Sequence, residues 1–271
     1  MIPLLLDELV HQVSLVLKKP PLQWKQSDIT GEDLLAFEKE ATEGAAFDTL
    51  GLKKGVWKAF RAGTMRAVIY ECELARVAAL LPEGVEIPLD AWGRIFQFFG
   101  KPTTGPHWRI YWFGAAQHRW FPEGGLPLDM EHLNGGYTTI CSTRGIFIYR
   151  LEEATRVLIH ELLHAACLDP HDKDIPTREA TVETWAELIF VALRSGGSRS
   201  TAESLWNLQC QWVADTNWKA ASHHKVKSKA DYGWRYLNGR THVYESLGFT
   251  LPPPTKTSVK RSRFTHPELG D

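Results

Sequence analysis

A mixed α+β fold, with a small mixed sheet and a mostly helical C-terminal half, is predicted from three features of the sequence. The 271 residues are 44% hydrophobic and 23% charged, which suffices for a full core and matches the globular average. Between residues 102 and 149 the chain carries short alternating or aromatic-rich runs bounded by Gly, Pro and Ser, as strands do. Most of 1–99 and of 152–217 instead repeats its apolar residues at helical spacing.

Taken in order, Leu9, Val13, Val16 and Leu17 share one helical face, and Pro20-Pro21 stops that helix. A further helical stretch is predicted from Phe47 to Leu81. Asp90 fits an N-cap for Ala91 to Phe99, and Gly100 is placed to end that helix. His107 to Phe113 alternates like a half-buried strand, and Tyr137 to Cys141 with Gly145 to Tyr149 forms a hairpin around Ser142-Thr143-Arg144. Glu152 and Glu153 complement the positive end of a helix dipole, so a helix is expected from there to Leu168, closed by Asp169-Pro170. A polar loop, His171 to Pro176, leads to a helix over Thr177 to Arg194, ended by Gly196-Gly197, and Thr201 to Asn217 gives another. From Leu251 the chain turns to Pro252-Pro253-Pro254 and then to Lys256, Lys260, Arg261 and Arg263 with few apolar residues. One domain over 1–250 and a flexible tail over 251–271 are therefore expected.

Thirty-one basic against 32 acidic residues give a net charge of −1, so no global field recruits nucleic acid, and none is expected as a partner. No apolar run approaches the roughly 18 to 20 residues that span a bilayer, so no membrane partner is expected either. The start, Met1-Ile-Pro-Leu-Leu-Leu-Asp7-Glu8, lacks a basic region and meets two acids at once, unlike a secretory signal. Cys72, Cys141, Cys167 and Cys210 contain no Cys-x-x-Cys pair, and they are read as thiols in a reducing, intracellular compartment. A Cys141–Cys167 bridge is the alternative.

The chemistry centres on Val157-Leu-Ile-His160-Glu161-Leu-Leu-His164, a His-Glu-x-x-His on a predicted helix. Residues four apart share a helical face, so His160 and His164 can offer imidazoles to one zinc ion, while Glu161 lies about 100° round the helix, within reach of a water. The next helix carries Glu179, Glu183 and Glu187 at i, i+4 and i+8, and positions 165–182, 18 residues, separate His164 from Glu183.

At these residues the chain resembles the gluzincin class of zinc metallopeptidases, in which a Glu on a second helix follows His-Glu-x-x-His. Glu183-Thr-Trp-Ala-Glu187 is similar to that class's Glu-x-x-x-Asp pattern, with the longer Glu187 in place of Asp. The metzincin pattern does not fit, because Cys167 and Pro170 stand where it needs Gly and His or Asp. A looser resemblance, carried by Glu131-His-Leu-Asn134-Gly-Gly-Tyr-Thr138, Ile148-Tyr-Arg150-x-Glu152-Glu153 and the motif helix, is to predicted metallopeptidases of large DNA viruses, and it implies a virus-encoded chain.

The gluzincin resemblance implies a zincin-like fold with one Zn2+ per chain on His160, His164 and Glu183, and Glu187 orienting a ligand histidine. It implies Glu161 as general base toward a metal-activated water, and a peptide or protein substrate paired to an edge strand within Thr143 to Tyr149. Oxyanion donors are sought in His242 and Tyr244, with Tyr236 as a further candidate. Rival readings stand beside it: a catalytically inactive zinc-binding scaffold or virion component, and a protease recruited to nucleic acid by its basic tail. The Glu179, Glu183 and Glu187 stripe also suits a solvated helix face. Asn134-Gly135-Gly136 reads as a turn first and a substrate loop second, and His223-His224 as an exposed basic loop.

Overall fold

The computed structural model describes residues 3–43, 47–256 and 259–270. The fold is mixed α+β and built as two compact units whose segments interleave along the chain. A sheet unit comprises Pro20–His118 and Asn134–Leu168, and a helical unit comprises Met1–Lys19, Arg119–Leu133 and Asp169–Asp271.

In the sheet unit six strands stand in the order β1-β2-β3-β4-β6-β5. They are β1 (Lys25–Ser27), β2 (Arg66–Glu71), β3 (Ala75–Leu81), β4 (Trp108–Phe113), β5 (Gly136–Thr138) and β6 (Ile146–Ile148). Strands β3, β4 and β6 run parallel, while β1, β2 and β5 add antiparallel pairings on either side of them. Helices α2 (Gly31–Thr42), α3 (Leu52–Arg61), α4 (Leu89–Phe99) and α6 (Ala154–Ala165) belong to the same unit.

Of the helix expected over Phe47 to Leu81, only α3 forms; the rest is the β2–β3 hairpin. Every residue of β3 is buried, so its apolar run lacks the alternation that marks a half-buried strand, and periodicity cannot separate it from a buried helix. Helix α2 starts on a capping box in which Thr30 and Asp33 exchange hydrogen bonds. Asp33 also pairs with Arg76; burial alone would raise its carboxyl, but these bonds outweigh burial and hold it below the usual range. The fully buried Phe37 of α2 then meets Tyr111 and Phe113 of β4 edge-on, at 5.5 and 4.9 Å between ring centroids.

The helical unit holds α1 (Leu4–Leu17), α5 (Met130–Leu133), α7 (Ile175–Arg194), α8 (Arg199–His223) and α9 (Asn238–Ser246). Helix α7 begins where Asp174 accepts a hydrogen bond from the Thr177 amide, with Pro176 in the first turn. Helix α8 runs to His223, and His224 is not an exposed loop residue: its ring is buried, stacks on Phe121 at 5.0 Å and bonds the Leu126 carbonyl.

The segment expected as a flexible tail is packed in its described residues. Phe264 and Leu269 are buried, and Gln209 of α8 holds the backbone on both sides, donating to the Phe264 carbonyl at 2.9 Å and accepting from the His266 amide at 2.8 Å. Ser262 donates to the Trp120 and His132 carbonyls. Sparse apolar residues suffice here because Gln209 of α8 satisfies part of the extended backbone and the Ser262 hydroxyl anchors the segment to residues 119–133. Phe264→Ala is accordingly expected to cost about 3–5 kcal/mol of unfolding free energy. A denaturant midpoint equal to that of the wild type would show that the tail does not contribute.

Candidate functional site

Helix α6 is buried at all of its residues, an unusual setting for two His and one Glu. Its side of the sheet unit fixes it at several points. The Trp92 indole of α4 donates to the Thr155 hydroxyl at 3.0 Å, and the chain enters α6 through Glu153 in the left-handed region, with φ of 60°. At the other end the His164 carbonyl accepts from the Cys141 and Cys167 amides at 3.0 and 3.1 Å.

Those two cysteines form a disulfide with Cα atoms 4.5 Å apart, which corrects the expectation of four thiols; Cys72 and Cys210 are free. The bridge follows from tertiary placement, since the return of the β5–β6 hairpin and the end of α6 bring together residues 26 apart in sequence. No helix among the described residues is long and apolar enough to cross a membrane.

On α6, His160 and His164 turn their Nε2 atoms to 3.1 Å from each other, with ring centroids 4.8 Å apart and an interplanar angle of 72°. Two nitrogens bound tetrahedrally to one zinc at about 2.0–2.1 Å stand about 3.3 Å apart, so the pair fits the bite of a zinc ion. The same separation suits an N–H···N hydrogen bond between neutral rings. Glu161, one position on, faces the sheet edge. A Cβ built on Gly136 of β5 would lie 3.2 Å from Glu161 Oε1, 2.6 Å from Val157 Cγ1 and 2.9 Å from the Phe147 carbonyl. Glycine is therefore required for space at this position, and Asn134-Gly135-Gly136 is more than a turn. The signal was two consecutive glycines leading into a strand, where close approach of another element is a standing explanation.

The edge of the sheet beside α6 is β5. Strand β6, which lies within the Thr143 to Tyr149 segment expected to receive substrate, is paired on both sides by β4 and β5. The hairpin was foreseen, but which of its strands is outermost depends on β4, a partner remote in sequence.

In the helical unit, α7 carries the three carboxylates in different settings. Glu179 is half-buried, whereas Glu183 and Glu187 are almost wholly enclosed. Glu187, expected to orient a ligand histidine, accepts from Gln209 Nε2 at 2.6 Å and pairs with Arg240, itself fully buried. Desolvation acts to lower the Arg240 pKa, but attraction to Glu187, and to Glu183 beyond it, raises it overall.

His242 and Tyr244 of α9 do not form one donor pair. Two residues apart on a helix point to nearly opposite sides. The His242 ring is exposed and stacks over Trp234, while Tyr244 is fully buried against Trp206 and Phe249. Tyr236 differs from both. Burial, and next the charge of Glu179, push its phenol well above the ordinary tyrosine range, so it remains a hydrogen-bond donor across physiological pH.

Comparison with protein-family models, with curated proteins and with solved structures gave no match to this chain.

Proposed function

We propose that the chain is a zinc-dependent metallopeptidase of zincin-like fold that hydrolyses peptide bonds in an extended peptide or protein substrate. The observation that carries this reading is the buried His160–His164 pair with Nε2 atoms 3.1 Å apart and Glu161 one residue on. Two neutral imidazoles and a carboxylate are a donor set that suits zinc and leaves a fourth position open. The third ligand is a carboxylate of α7. Glu183 is the expected ligand, by its 18-residue spacing from His164.

Zinc, when bound, supplies a Lewis acid that polarises a carbonyl and makes water acidic near neutral pH. The remaining work falls to the protein. Glu161 takes a proton on its carboxylate and returns it to the departing amine. The backbone of β5, outermost in the sheet and in contact with α6 at Gly136, is suited to hold an extended peptide by strand addition.

Metal analysis coupled to hydrolysis of a peptide library tests this reading. The expected result is one zinc per folded chain, with turnover that a chelator removes and added zinc restores. Folded protein that neither retains zinc nor cleaves any peptide when supplied with it would sink the proposal.

A further inference from the structure

Beyond the end of β5 the chain continues through Thr139 into a cleft of about 540 Å³, lined by Thr104, Thr139, Cys141, Ser142, Thr143 and Arg144. Its lining is chemically one-sided: four hydroxyls and a guanidinium, with no carboxylate. Arg144 is exposed, and among the described residues no ion pair engages it. The walls are held in place. The Thr104 and Thr143 hydroxyls are 3.2 Å apart, Ser142 Oγ accepts from the Arg144 amide at 3.3 Å, and the disulfide ties Cys141 to the end of α6.

An arginine presents planar paired donors that match a carboxylate, and neighbouring hydroxyls can donate to the same oxygens. A strand added to the outer edge of β5 runs along the axis that leads to this cleft. We propose that the cleft is a carboxylate-binding subsite of the peptide groove, with Arg144 as its specificity-determining residue. The carboxylate is either an acidic side chain of the substrate or its free C-terminus. The peptide context rests on the metallopeptidase reading, while the preference for a carboxylate rests on the cleft alone.

The test uses the full chain, zinc-loaded and carrying Glu161→Gln so that peptides persist. Three fluorescent peptides of equal length are titrated by anisotropy: neutral and amidated, amidated with one internal Glu, and neutral with a free C-terminus. One carboxylate-bearing peptide is expected to bind about tenfold more tightly than the neutral amide, as a charge-assisted hydrogen-bonded pair provides. Arg144→Gln, at an exposed position, is expected to erase that advantage without moving the melting temperature. Which peptide gains identifies the source of the carboxylate. Equal binding of all three, an advantage that survives Arg144→Gln, or no binding of any peptide would each overturn the subsite. Arg144-dependent binding without cleavage by the wild type would instead remove the catalytic reading and leave the subsite standing. Cleavage by the wild type with no Arg144-dependent preference would do the reverse.

Discussion

Glu161→Gln is expected to lower kcat by about 10²- to 10⁴-fold, the range that a positioned general base contributes, while zinc content and melting temperature stay at their wild-type values. The separation of effects follows from position. Glu161 is one residue from His160 on α6, so its side chain leaves the helix about 100° from the face shared by His160 and His164. Glutamine keeps the length and volume of the side chain and can still accept a hydrogen bond, so the close approach to Gly136 survives. Only the ability to take up a proton is lost. Hydrolysis by this variant at a rate near that of the wild type would eliminate Glu161 as base, and loss of zinc would show that the carboxylate is a ligand. The reading of α6 as a catalytic helix depends on this outcome more than on any other.

What sequence can show here follows from the range over which each signal acts. The motif helix, the body of α7 and the β5–β6 hairpin are local objects, defined by helical spacing and by a short return of the chain. All three were legible in the residues themselves. Strands β2 and β3 were not, because β3 is interior and parallel to β4, and its burial on both faces removes the alternation that would identify it. The docking of the tail was hidden for a related reason. Ser262 and the Phe264 and His266 backbones are satisfied by Gln209, Trp120 and His132, partners that no window around residue 264 contains. The disulfide, the outermost position of β5 and the contact of Gly136 with Glu161 are likewise set by tertiary placement. At the candidate site, residue types were readable and surroundings were not, which is how His242 and Tyr244 came to be paired although α9 turns one outward and the other into the core.

The three carboxylates of α7 are expected to separate by what their loss does to the protein without zinc. Glu187→Ala is expected to destabilise the metal-free chain by about 3–5 kcal/mol, because it leaves Arg240 charged and fully buried without its principal counter-charge. Arg240 has no escape by losing a proton, since a guanidinium stays protonated throughout the working pH range. Gln209 loses the acceptor of one amide hydrogen bond at the same time. Replacing both members of the pair, Glu187→Leu with Arg240→Met, is expected to recover most of the loss, since it removes the buried charges together. A metal-free Glu187→Ala protein within about 1 kcal/mol of wild type would refute the structural role, because breaking a buried pair should cost several times that. Glu179 and Glu183 make the complementary case. Glu183→Ala is expected to abolish zinc retention against a chelator, because it removes the third ligand, while Glu179→Ala leaves zinc affinity close to that of the wild type. If Glu183→Ala and Glu179→Ala both keep zinc at wild-type affinity, α7 does not complete the site, and the metal reading is left with His160 and His164 alone.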